Sequence, residues 1–159
     1  MRRRFFPTFV FFGCFVVIPF RAAEVEFVRV VPQWRDAESF ERISEYFGRG
    51  ENTGGHLVLR THAEARAGYY FVFRLAHAPS LAGANFEVSV IRPDVPEPKT
   101  FSLPVASPAG DGVVELGLTG ADWPGGKKTH PVAWKLTLLA ADGRVLAEQK
   151  SFLWENPAK

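Results

Sequence analysis

Cysteine is nearly missing from this chain: Cys14 stands alone in 159 residues. No intrachain disulfide can form, and no further thiol exists to complete a zinc site. The four histidines, His56, His62, His77 and His130, fall into none of the HxH, HExxH or HxxxH spacings. Metal ligation therefore has no sequence motif behind it, and neither a metal nor a cofactor is expected. None of the serines, Ser39, Ser44, Ser80, Ser89, Ser102, Ser107 or Ser151, sits in a GxSxG elbow, which removes the hallmark of one large hydrolase class. The stretch Gly48 to Gly55, GRGENTGG, has neither a Lys-Ser/Thr tail nor GxGxxG spacing, so it reads as a flexible connection rather than a phosphate cradle. Glu38, Glu41 and Glu45 would share one helical face, a pattern commoner on solvated surfaces than in paired catalytic carboxylates. Internal repeats, low-complexity tracts and linkers are absent too.

What the chain does have begins at its N-terminus. Met1-Arg2-Arg3-Arg4 is followed by an uncharged run of 16 residues, Phe5 to Phe20, and then by Arg21-Ala22-Ala23. That run is shorter than the roughly 20 residues a helix needs to cross a bilayer. The order basic, apolar, small is that of a secretory signal, so residues 1–23 are expected to direct export to the periplasm, the cell surface or the medium. Cleavage after Ala23 places Arg21 at the −3 position, and cleavage after Ala22 places Phe20 there. Both depart from the small residue usual at −3, so an uncleaved anchor stays open. Phe12-Gly13-Cys14 has the small-residue-then-cysteine order of a lipid-attachment site, but with bulky flanks. Arg2-Arg3-Arg4-Phe5-Phe6 has the order of a twin-arginine export signal. Membrane contact is expected only through this segment.

Charge divides at the same place. Four of the 19 basic residues precede Glu24 and no acidic one does, which leaves 15 basic against 17 acidic residues, a net −2, in the remainder. The alkaline character of the whole chain belongs to its leader, and the mature part lacks the basic field that would attract nucleic acid. Residues 24–159 are expected to form one domain. A chain of that size buries roughly two-thirds of its unfolded surface, enough for a core without disulfides.

From Glu24 onward, short apolar runs alternate with Gly, Pro, Asn and Asp, the pattern of an all-β sandwich or barrel. Strands are predicted at Glu24 to Val31, His56 to Thr61, Gly68 to Ala76, Asn85 to Ile91, Thr100 to Leu103, Val113 to Leu118, Val132 to Leu138 and Val145 to Trp154. His56 to Thr61 and Gly68 to Ala76 are expected to pair across a polar turn. Pro93, Pro96 and Pro98 predict an extended connection, because proline cannot donate to a ladder. Phe40, Ile43 and Phe47 recur at helical spacing, which predicts one short helix over residues 37–47, capped by Asp36 or Ser39. Ala141-Asp142-Gly143 between two alternating runs is a strong hairpin signal. Seven or eight strands without βαβ alternation point to an immunoglobulin-like or fibronectin-III-like antiparallel β-sandwich, with a closed barrel second. The Cys-Trp-Cys framework of antibody domains is missing, so the likeness is one of pattern only.

The most distinctive string is Gly117 to Gly125, GLTGADWPG. Asp122 and Trp123, with Lys127 and Lys128 nearby, make a candidate surface for a partner protein or a sugar ring, and Trp34 and Tyr70 could extend it. The alternative is that Trp123 folds over one open end of the sandwich while Asp122 bonds its own turn. Arg60 and Arg74 with Tyr70 form a candidate anion site. The leading expectation is an exported, non-catalytic β-sandwich that engages a protein at the cell envelope. A carbohydrate-binding module using Trp123 comes second, and an enzyme whose site is assembled from unremarkable residues third.

Overall fold

The alternation Tyr69, Phe71, Phe73, Leu75 against Tyr70, Val72, Arg74 makes strand β3 (Gly68–Ala76) the pivot of the first sheet. A computed structural model describes residues 25–41, 53–77, 81–106 and 112–155. Residues 1–23, where an export signal is expected, Cys14 included, and most of the predicted helix lie outside these residues.

Among the described residues there are eight strands: β1 (Glu26–Arg35), β2 (Leu57–Arg60), β3, β4 (Asn85–Arg92), β5 (Val95–Pro104), β6 (Val113–Thr119), β7 (Ala133–Leu139) and β8 (Val145–Lys150). They form two sheets, in the orders β1-β3-β6-β2 and β5-β4-β7-β8. The chain changes sheet between β3 and β4, between β5 and β6, and again between β6 and β7, giving the Greek-key arrangement of an immunoglobulin-like β-sandwich. Phe71, Phe73, Leu116 and Leu118 from one sheet and Phe86, Val88, Leu136 and Leu138 from the other fill the space between them. Each contributes roughly 1.5–3 kcal/mol by leaving water.

Three details differ from the sequence expectation. First, β2 does not pair with β3; it lies parallel to β6, from Leu57 opposite Val114 to Arg60 opposite Gly117. The polar stretch after it never folds back as a hairpin, because Thr61 and His62 stay bonded to β6. Thr61 N–H donates to Gly117 O at 3.0 Å, and His62 N–H donates to Thr119 Oγ1 at 3.0 Å. Second, the proline-rich connection is part of β5, an edge strand of ten residues. Its ladder with β4 is irregular between Val90 and Arg92, so Pro96 and Pro98 fall where β4 offers no paired partner, and an edge tolerates them. Third, the described part of the expected helix is a single 3-10 turn, Ala37–Phe40, and Glu41 is already extended. Asp36 makes no capping bond there; its carboxylate is engaged elsewhere. Edge strand β1 runs on through Pro32 and carries an irregularity between Val28 and Val31, with Arg29 at a φ of 51°. Such a bulge keeps an open edge from pairing with other chains.

The sandwich has two distinct ends. At the hairpin end lie Glu26, Ala76, Asn85 and the β7–β8 turn. At the opposite, loop end, Arg35, Gly68 and Thr119 sit in line, with Ala133 beside Ile91.

Candidate functional site

The loop end collects most of the residues singled out in the sequence. Trp34 donates its indole N–H to Asp36 Oδ1 at 2.9 Å, and Lys127 Nζ lies 3.4 Å from Asp36 Oδ2. The Trp34 bond is the main cause that holds the Asp36 carboxyl below the ordinary carboxylate range, with Lys127 adding to it. Asp122 receives Lys99 Nζ at 2.9 Å and His62 Nε2 at 3.1 Å. Burial pushes the Asp122 carboxyl up, but the Lys99 bond and charge, with Thr61 and His62, bring it below its usual value. Asp122 therefore ties β5 and the Thr61–His62 segment to the loop after β6 instead of bonding its own turn.

Trp123 is 3% exposed and its ring lies 4.7 Å from that of Tyr69. It closes the core at this end, and its indole N–H has no acceptor among the described residues. A sugar cannot stack on a ring packed this way, so Trp123 does not supply the carbohydrate platform. Tyr70 is also fully buried, although it points away from the core between the sheets. Gly117 opposite it carries no side chain, and a Cβ there would come within 2.5 Å of the Tyr70 ring. The ring therefore lies flat on the sheet, under Phe40 at 4.8 Å. Tyr70 Oη donates to Arg66 O at 2.6 Å and accepts from Arg60 Nε at 2.9 Å. Burial raises the Tyr70 phenol, with Arg60 opposing. Arg74 lies four residues along β3 from Tyr70 and is not part of this group, so the expected Arg60–Arg74 anion site does not form.

Beside Tyr70 is a charged group that sequence reasoning missed. Buried Glu115 on β6 has one carboxylate oxygen held by Arg35 and the other 2.8 Å from His56 Nδ1. Arg35 and Arg60 also flank the Phe40 ring, 4.2 and 4.8 Å from its centre. Both Glu115 oxygens are thus taken, and the group pins β1 and the start of β2 across β6. In the string VVELGL the alternation marks Glu115 only as outward-facing; that Phe40, Arg35 and His56 would cover it is a long-range fact.

Two further features at the loop end were also not singled out. An open cleft of about 480 Å3 runs between the β4–β5 turn and the loop after Trp123, lined in part by Arg92, Asp94, Lys128 and His130. Arg92 Nη2 lies 3.1 Å from Asp94 Oδ2, and His130 Nδ1 lies 3.3 Å from Tyr69 Oη. Lys128 has no ion pair or hydrogen bond among the described residues. At the same end, large apolar side chains remain in water: Phe152 is 79% exposed, Leu153 54% and Val132 48%. The bond from Ser151 N–H to Trp134 O, 2.9 Å, brings the turn Phe152–Glu155 to the same end of the hairpin as Val132. Val132 N–H in turn donates to Ile91 O at 2.8 Å, beside Arg92. The signal available in the sequence was the run SFLW directly after a strand, which alternation had absorbed into β8. No group of three or more His, Cys, Asp or Glu among the described residues is arranged to hold a metal ion.

No family model and no curated protein matches the chain. Among solved structures, an immunoglobulin-like protein from Pseudomonas aeruginosa is similar at 14% identity, over 82% of this chain and 96% of that one, with a TM-score of 0.34. At so low a score the fold assignment rests on strand order and register in this chain itself.

Proposed function

We propose that this chain is an exported, non-catalytic β-sandwich that docks a partner protein at the cell envelope through its loop end. The observation that carries this reading is the exposure there of Phe152, Leu153 and Val132, with Phe152, at 79%, the most exposed large apolar side chain among the described residues. A soluble domain rarely leaves large apolar residues grouped in water unless another surface covers them. The interlocked loops beneath them support the same reading, since a docking surface gains affinity when it is ordered before the partner arrives. Export rests on the basic-apolar-small order of residues 1–23. The segment before Val25 joins β1 at the hairpin end, so a retained anchor would present the loop end away from the membrane. The net −2 of the mature part supports a protein rather than a nucleic-acid partner.

The test is a photo-crosslinking residue placed at Phe152, with the same residue at Arg144 on the far end as control, in cells that export the protein. The expected result is one discrete adduct from position 152 and none from position 144. No adduct from 152, or equal ladders from both, would sink the docking surface. Loss of the 152 adduct when Leu153→Asp is added would strengthen it.

A further inference from the structure

The apolar patch does not account for the cleft beside it. Arg92 and Asp94 come from the β4–β5 turn, and Lys128, Thr129 and His130 from the loop between β6 and β7. Their charges do not cancel. Arg92 is matched by Asp94 at 3.1 Å, while Lys128 is unmatched among the described residues, so the Lys, Arg and Asp side chains lining the cleft leave one excess positive charge. Thr129 Oγ1 is already committed to Gly125 O at 2.6 Å, which braces the loop rather than offering a donor. That arrangement suits a monoanion. A phosphate dianion would overcompensate the excess charge and face Asp94 besides. The volume, about 480 Å3, is several times that of a carboxylate head and lies in the range of sites that enclose a ligand with its attached chain.

We propose that this cleft is a carboxylate-binding site in which Lys128, Arg92 and His130 receive an aspartate or glutamate side chain of the partner protein. This inference rests on the docking role of the loop end and gives its partner a chemistry: an acidic residue flanked by apolar ones, the acid seated in the cleft and its neighbours on Val132, Phe152 and Leu153. The bond from Val132 N–H to Ile91 O places Val132 beside Arg92 at the edge of the cleft. The Lys128 ammonium, with those Arg92 N–H groups that Asp94 does not take, can give a carboxylate short charge-assisted bonds, the strongest polar contacts available to such a site.

The experiment uses isotopically labelled protein recovered from the envelope of an expressing host, followed by amide NMR. The probes are blocked tetraglutamate, blocked tetraglutamine, glutarate and inorganic phosphate. Tetraglutamate is expected to shift the amides of residues 92–94 and 124–130 while tetraglutamine leaves them in place. Lys128→Gln should weaken that binding by about tenfold, the loss of one hydrogen bond to a charged group, and Arg144→Gln at the hairpin end should leave it unchanged. Glutarate or phosphate binding as tightly as the peptide would overturn the assignment to a partner's side chain. Equal weakening by Arg144→Gln, or no shift in those segments, would overturn the site itself. The crosslink from position 152 separates the two ideas: a crosslink that survives Lys128→Gln undiminished, with no tetraglutamate binding, removes the carboxylate site and leaves the docking surface standing.

Discussion

The two ends of this sandwich are closed by the same kinds of residue, glycine, aspartate and cations, wired in opposite ways. At the hairpin end, Asp142 Oδ1 accepts the N–H of Arg144 two residues on, at 3.0 Å, and Gly143 takes a φ of +81° to complete the turn. The β7–β8 turn closes within Ala140–Arg144, where Ala140 N–H donates to Arg144 O at 2.8 Å and Gly143 N–H to Ala140 O at 2.9 Å. At the loop end, Asp36 holds Lys127, 91 residues away, and Asp122 holds Lys99, 23 residues away. The β7–β8 turn is a local solution to reversing a chain, even though Val105 N–H, donating to Ala84 O at 2.9 Å, joins distant segments at the same end; the side-chain ties of the loop end are made between segments that meet only once the fold exists. Surfaces that bind are expected where geometry is over-determined in this second way, because loops tied to several strands keep their side chains in place.

The sharpest way to break the contrast is to remove the residue that closes each end. Trp123→Ala deletes a buried indole from against Tyr69 and should lower stability by about 3–5 kcal/mol, read as a shift of the urea midpoint. Trp123→Phe should recover most of that loss, since a ring stays on Tyr69 and an indole N–H without an acceptor is removed. At the other end, Gly143→Ala forces a Cβ into a left-handed backbone, with nothing within 4 Å to clash, and should cost only about 1–2 kcal/mol. A Trp123→Ala variant as mild as Gly143→Ala would mean that the loop end is held together as locally as the hairpin, and the contrast would fall.

The same division decides what could be read from the sequence. The Asp-Gly turn, the alternating faces of β3, β4, β6 and β7, and the two-sheet architecture all depend on neighbours along the chain, and they were legible. The partner of β2 was not, because pairing depends on which edge is free after β1 and β3 have taken each other. Pro96 and Pro98 signalled the end of a strand locally, whereas their position on a sheet edge, a property of the whole fold, allowed the strand to continue. Trp34, Asp122, Trp123, Lys127 and Lys128 do gather at one end, but sequence has no term for whether a tryptophan faces in or out. Trp123 and Tyr70 turned inward because Tyr69 waited to receive one ring and Gly117 made room for the other. Arg92, His130, Phe152 and Leu153 went unmarked because each looks ordinary until the loop end is built.

The smallest effect is also the finest measure of the contrast. Asp36, Asp122 and Asp142 all have carboxyl groups below the ordinary range, each for a different reason. For Asp142 it is chiefly the Arg144 backbone N–H, and for Asp36 chiefly the Trp34 indole N–H. At Asp122 burial pushes upward, and the bond and charge of Lys99 outweigh it. A depressed carboxyl contributes stability that is fully present above its unfolded value and is lost as the pH falls through its folded one, so all three stabilise the fold above about pH 4 and their pH dependence is confined to the acid side of it. Carboxyl-carbon NMR titrations of single variants then tell the wiring apart. Lys99→Gln should let burial dominate at Asp122 and raise its midpoint, whereas Lys127→Gln should move Asp36 little, because the Trp34 bond remains. Adding about 0.5 M salt should leave Asp142 nearly still, since its main partner is an adjacent peptide N–H rather than a side-chain charge. A shift at Asp36 on losing Lys127 as large as that at Asp122 on losing Lys99 would make the exposed Lys127 pair a real tie between β1 and the loop. The loop end would then be cross-braced at its rim as well as at Asp122, and its difference from the hairpin end would widen.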